Sequence, residues 1–168
     1  MEFERVIETR TATRKFKADR ISEENIQKIL RAATLAPTAK NQQPQRIYVI
    51  ESDEALAKVN QVCPCIYGAP VAMLVCADKD AAWHTPEYSS KEMDASIVAT
   101  HMILEATNLG IDSCWVKYFD PRAMAKELDL SENIAPICII PMGYKADDYA
   151  GNPAHTDRKP IAEISFRL

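Results

Sequence analysis

Apolar residues recur at helical spacing in several stretches of this chain and bunch into short continuous runs in others. A first short helix is predicted over about Glu2 to Thr9. Ser22 suits an N-cap, Glu23 and Glu24 fall in a first turn where the helix dipole favours acids, and Ile26, Ile29, Leu30 and Ala33 then share one face. Pro37 ends that helix near Ala36, because the residue before a proline avoids the α region. Gln45 to Ile50, carrying Ile47-Tyr48-Val49-Ile50, reads as a strand, and Ser52 caps a helix bearing Leu56, Val59 and Val62. Residues 69–77 form a buried strand, and 78–92 a long polar loop with Trp83, His84, Pro86 and Tyr88. A long helix follows from Asp94 to Leu109, with Gly110 as its left-handed C′ residue. Ile111 to Val116 is the next strand. Asp120 followed by Pro121 is a helix start, an N-cap with proline at the first helical position, and the helix ends near Leu128. Ala135 to Pro141 is a further buried strand.

Beyond a polar tail, Lys145 to Lys159, the residues Ile164, Phe166 and Leu168 alternate with Ser165 and Arg167. That is a strand pattern, and its distance from the other elements points to docking elsewhere, on another subunit. The plan is α+β: a mostly antiparallel sheet flanked by helices, forming one domain over residues 1–168.

Composition narrows the function classes. A net charge of −4 and a pI near 5.4 argue against nonspecific nucleic-acid binding. No apolar run approaches the ~20 residues needed to span a bilayer, and the N-terminal residues lack the plan of a secretion signal, so a cytoplasmic protein is expected. Of five cysteines, Cys76, Cys114 and Cys138 lie in apolar runs as core residues; Cys63-Pro64-Cys65 is an isolated pair without zinc spacing. His84, His101 and His155 have no ligand-type neighbours, and no metal site is expected.

Three polar stations interrupt this ordinary background. In Thr9-Arg10-Thr11-Ala12-Thr13-Arg14-Lys15-Phe16, the guanidinium groups of Arg10 and Arg14 are four residues apart and can converge on one phosphate. With four glycines in the chain there is no glycine-rich phosphate loop, so side chains and ordinary backbone must hold any such group. The second station, Ala36-Pro37-Thr38-Ala39-Lys40-Asn41-Gln42-Gln43-Pro44, offers a hydroxyl and amides suited to a heterocycle edge, or is simply a helix-to-strand connection. The third, Arg158-Lys159-Pro160, returns cations late in the chain.

In order and spacing these stations resemble the flavin-dependent nitroreductase family. That family opens on Arg-x-Ser-x-Arg/Lys-x-Phe, here Arg10 to Phe16. It continues with Ala-Pro-Ser-x-x-Asn-x-Gln-Pro-Trp, here Ala36 to Gln45, then Leu-Gly-x-x-Ser-Cys-Trp-Ile, here Leu109 to Val116, and a basic-Pro-hydrophobic element, here Arg158 to Ile161. The resemblance implies FMN held at the interface of an intertwined homodimer and an NADH- or NADPH-driven oxidoreductase acting on nitroaromatics, quinones or similar acceptors. The alternatives are a flavin-binding protein without turnover, for storage or sensing, or a specialised dehydrogenase or dehalogenase on the same scaffold. The resemblance places Arg10, Arg14 and Arg158, with Lys159, at the phosphate, and Thr11 and Ala12 along the ribityl chain. Pro37, Thr38 and Asn41 would reach the flavin from the second subunit, and Val116, Lys117 and Tyr118 would line its N5/O4 edge. No protein group acts as the catalyst, and 78–92 is the candidate lid. The chain departs from the pattern at Ala12, where serine is usual, at Gln45, where tryptophan is usual, and at Lys117-Tyr118.

Overall fold

The structure, a computed structural model, describes residues 2–168. Its helices are α1 (Phe3–Thr9), α2 (Glu23–Leu35), α3 (Asp53–Val62), α4 (Lys91–Asn108), α5 (Pro121–Glu127) and α6 (Ile161–Ile164). Its strands are β1 (Gln45–Ile50), β2 (Val71–Asp78), β3 (Asp112–Ser113) and β4 (Ile134–Gly143). They form one antiparallel sheet in the order β1-β2-β4-β3.

Both faces of the sheet are covered, which is why β2 reads as an unbroken apolar run rather than an alternation. Met73, Val75 and Ala77 face the layer of α2 and α4, where Ile29 and Met102 are fully buried. Ala72, Leu74 and Cys76 face Val59 of α3 and Met124 of α5. Each of these larger side chains contributes about 1.5–3 kcal/mol through its burial. The β2–β4 register slips between Val75 and Cys76, opposite Pro136, a residue with no N–H to give to a ladder.

Helix boundaries follow local chemistry. Ser22 and Ser52 accept hydrogen bonds from the N–H groups of Asn25 and Ala55, and Asp120 accepts from Arg122. At the end of α4, Gly110 is left-handed at φ +75°. Its N–H donates to Thr107 O while Ile111 N–H donates to Ala106 O, the paired bonds of a Schellman motif.

Three expectations need correction. Helix α4 begins at Lys91, three residues before Asp94, so the polar loop shrinks to 79–90. The strand expected over 111–116 is regular only at Asp112–Ser113. Cys114 N–H still donates to Pro141 O, but Pro141 cannot donate back, and regular pairing stops until the isolated Val116–Ile139 bridge. Finally, Ile164 closes the four-residue helix α6 instead of opening a strand, and residues 165–168 have no ladder partner among the described residues. Ile161, Ile164, Phe166 and Leu168 are all strongly exposed.

Candidate functional site

The first station leaves α1 at Arg10, the C-cap, and runs as an extended segment clasped on both sides. On one side Ala12 bridges Ser113, and Thr13 N–H donates to Ser113 O at 3.0 Å. On the other, Phe16 bridges Lys145, with Lys17 N–H donating to Tyr144 O and Ala146 N–H to Lys15 O. The carboxyl of Asp112 ties the two sides together, accepting from the fully buried Thr13 hydroxyl at 3.2 Å and from Lys145 N–H at 3.1 Å. The Tyr149 hydroxyl donates to Ala12 O at 3.0 Å.

This clasp sorts the cations. Lys15 pairs with Asp148, and Lys17 with Asp147 at 2.6 Å. These pairs hold Asp148 below the usual carboxylate range and Lys17 above the usual lysine range, in each case mainly through the hydrogen bond between the partners. Among the described residues neither Arg10 nor Arg14 is in an ion pair. Both stand near the Cys114 thiol, which burial pushes up and the two cations pull down, Arg14 partly through a hydrogen bond. The segment after α3 closes the same corner. Tyr67, left-handed at φ 58°, bonds the Cys65 thiol, and its hydroxyl is pushed up to about 12 by burial first and by Cys65 next, with Arg14 opposing. The Cys63-Pro64-Cys65 turn thus lies at the edge of the basic station, a proximity its sequence spacing did not reveal. All five cysteines are free.

The second station holds three of the five left-handed non-glycine residues among the described residues. Lys40, Asn41 and Gln43 are all left-handed, at φ 49°, 55° and 50°, a conformation that costs roughly 1–2 kcal/mol for each non-glycine residue. Such strain persists where surrounding structure over-determines it. Here Thr38 Oγ1 accepts from Gln43 N–H at 3.1 Å, and Asp94 Oδ1 accepts from Ala39 N–H at 2.9 Å. Pro44 O accepts from Asp78 N–H, and the Lys40 ammonium sits 5.4 Å from the Trp83 ring centroid. Trp83 in turn packs at a tilt on Tyr88, so the 79–90 loop abuts this station. Pro37 and Asn41 are exposed, Thr38 half-buried. The buried Gln45 Oε1 has no hydrogen-bond partner among the described residues.

Val116 exchanges both backbone hydrogen bonds with Ile139, each at 2.9 Å, which fixes the start of the Val116-Lys117-Tyr118 run. Lys117 then lies 5.2 Å from the Phe119 ring centroid and Tyr118 projects into solvent, 76% exposed. Among the described residues, no hydrogen bond or ion pair joins the third station to the first. Arg158 Nη1 donates to the backbone oxygens of Ala154 and Asp157, and Lys159 is exposed. The tail is nevertheless moored nearby, since His155 Nε2 contacts Glu8 O in the last turn of α1. Sequence reasoning missed Thr13, Asp94 and Asp112, the side chains that hold the stations in place.

This donor set fits a phosphorylated flavin: two guanidinium groups free of anionic partners, short extended backbone beside them, and a strained polar loop. Helix α1 ends rather than begins at Arg10, so its dipole does not assist an anion there and the side chains must carry the charge.

A helix-flanked antiparallel sheet of this order is the fold of solved nitroreductase-family structures. A family protein from Clostridium difficile 630 superposes with a TM-score of 0.92 at 38% identity, over 99% of this chain and 98% of that one. A protein titled FMN-dependent nitroreductase, from Clostridium difficile R20291, superposes with a TM-score of 0.76 at 28% identity, over 90% and 93%. A relative from Archaeoglobus fulgidus, provisionally named an NADH dehydrogenase/NAD(P)H nitroreductase, is 33% identical over 86% of each chain. The model of the nitroreductase family matches residues 7–65 and 63–144, and the chain belongs to that family.

Proposed function

We propose that this chain is an FMN-dependent NAD(P)H oxidoreductase that works as a homodimer, each flavin site drawing on both subunits. The observation that carries this reading is the sorting of charge in residues 10–17: both lysines are paired with tail acids, whereas Arg10 and Arg14 are left for an external anion. The names of the relatives support it, one calling its protein FMN-dependent and another an NAD(P)H nitroreductase.

In this reading Arg10 and Arg14 grip the phosphate, and Thr11 and Ala12 offer backbone along the ribityl chain. Arg158 and Lys159 join the phosphate site once the tail is engaged by the second copy. The backbone of Val116, Lys117 and Tyr118, aligned by the Val116–Ile139 bridge, lines the edge at N5 and O4. Pro37, Thr38 and Asn41 reach across from the other subunit. Ile161, Ile164, Phe166 and Leu168, strongly exposed on their own chain, pack on the second copy. Loop 79–90, with Trp83 and Tyr88, borders the pocket as a lid. Bound FMN would supply the redox chemistry between NADH or NADPH and a nitroaromatic, quinone or similar acceptor, in a ping-pong scheme. One domain over residues 1–168 suffices for this work, and the place of action is the cytoplasm. No described helix is long and apolar enough to cross a membrane.

Absorbance spectra of the purified protein test the reading. FMN uptake followed by anaerobic bleaching with NADH or NADPH, reversed by an acceptor, is expected. Bound flavin that neither nucleotide reduces would identify a binding protein without turnover. Protein that takes up no FMN would refute the reading.

A further inference from the structure

The strained loop is held by a carboxyl group that belongs to a different element. Asp94, in the first turn of α4, is fully buried. Its Oδ1 accepts from Ala39 N–H at 2.9 Å, and its Oδ2 accepts from the equally buried Ser90 hydroxyl at 2.7 Å. Asp94 N–H also donates to Ser90 O, and Ser90 N–H donates to Trp83 O at 2.9 Å. One side chain therefore fastens the 38–43 loop, the base of the 83–90 loop and the start of α4 to one another. Immediately after Ala39 come Lys40 and Asn41, both left-handed, and then Gln43, also left-handed. Without an outside restraint these residues would relax toward ordinary backbone angles.

We infer that Asp94 is a positioning residue for cofactor binding. By fixing Ala39 it keeps the 38–43 loop in the left-handed form that presents Thr38 and Asn41 to the flavin of the other subunit. This rests on the assignment of Pro37, Thr38 and Asn41 to the flavin, proposed above. The physical reasoning is direct. Two bonds to a buried carboxyl are strong because no water competes for them. Removing the carboxyl leaves the part-buried Ala39 N–H and the buried Ser90 hydroxyl without these partners, and the loop then gains by opening toward solvent. The group touches no reacting atom, so its loss is read in affinity and loop accessibility first.

The test compares wild type with Asp94→Ala, Asp94→Asn and Ser90→Ala. Asparagine can still accept from Ala39 N–H through Oδ1 while donating to the Ser90 hydroxyl. Two measurements are made: FMN affinity by quenching of flavin fluorescence, and the rate of trypsin cleavage after the exposed Lys40 in flavin-free protein. Asp94→Ala should weaken FMN binding about tenfold and speed cleavage at Lys40 by a similar factor, the effect of losing one charge-assisted bond. Asp94→Asn should recover most of both, and Ser90→Ala should fall between. If Asp94→Ala does not fold, Ser90→Ala carries the test, with about threefold changes expected. Asp94→Ala, or Ser90→Ala in its place, binding FMN within a factor of 1.5 of wild type (roughly 0.2 kcal/mol) would overturn the inference. So would equal damage from asparagine and alanine. Wild-type protein that takes up no FMN overturns the flavin assignment instead; Lys40 cleavage, which involves no flavin, then separately reads whether Asp94 restrains the loop.

Discussion

The two stations that face the proposed cofactor are built on opposite terms. Residues 10–17 follow unremarkable extended backbone and are held by many shared bonds: bridges to Ser113 and Lys145, the Asp112 carboxyl, and the Tyr149 hydroxyl. Residues 38–43 contain three left-handed non-glycine residues and depend on few restraints, chiefly Asp94, Thr38 and the exit through Pro44. The first is a redundant clasp whose conformation any one bond can leave unchanged. The second is a loaded spring with a few catches. Phosphate binding by fixed cations suits the clasp, and contact across a subunit boundary suits a loop whose shape is set by its own chain before the partner arrives.

The largest test of this contrast strikes the cations that the clasp leaves without an ion pair among the described residues. Arg10→Ala combined with Arg14→Ala should weaken FMN affinity by a hundredfold or more, since each charge-assisted bond contributes about 1.5–3 kcal/mol. Fluorescence titration reads the loss, and unchanged affinity would remove the phosphate assignment. Next, Thr13→Val keeps the shape of a fully buried side chain but takes away the bond to Asp112. A loss of about 1–2 kcal/mol of stability is expected by denaturant titration. A much larger loss would show that the clasp is not redundant.

The exit of the spring offers a smaller effect with a pH signature. Asp78 accepts from Asn133 Nδ2 at 3.0 Å, from Asp80 N–H and from Arg46 Nη2, and its own N–H holds Pro44 O. Its carboxyl is held below the ordinary range, first by the Asn133 bond, against the opposing effect of burial. A depressed folded-state value contributes stability that is complete above the unfolded value near ~4 and fades as pH falls through the folded one. Asp78→Asn should therefore melt earlier than wild type at neutral pH, and the gap should close on acidification. A gap that widens in acid would contradict this. The smallest effect belongs to Lys15→Ala. Its charge is already engaged by Asp148 at an exposed site, so FMN affinity should change less than about threefold. A hundredfold loss would show that Lys15, and not the arginines alone, carries phosphate.

What could be read from the chain follows the range of the interactions. Ser22, Ser52, Asp120-Pro121 and Gly110 act on neighbours within three or four residues, and each marks its helix end as expected. The start of α4 was misplaced because Ser90 caps it through backbone and makes no side-chain cap bond. The strand after Gly110 was overextended because its interruption comes from Pro141 on another strand. The basic and polar stations stand out in the chain as candidates, but what holds them does not: Ala39 and Asp94 are 55 residues apart, and Thr13 and Asp112 are 99 apart. The apolar alternation from Ile164 was visible as well, yet α6 takes up its first residue and residues 165–168 find no ladder partner among the described residues.

The clasp has a further consequence for how the protein comes into being. Its far side, Tyr144 to Tyr149, follows Ala12 by more than 130 positions, up to 137 for the Tyr149–Ala12 bond. Contacts of such separation bear the full entropy of closing the intervening chain and form late. Residues 10–17 are made before the segment bearing Asp147 and Asp148, so Lys15 and Lys17 stay unmatched until that segment is made. The sheet and its helices can collapse around β2 and β4 before that moment. A chain broken off before Lys145 therefore keeps the residues of the core but lacks the far side of the clasp around residues 10–17.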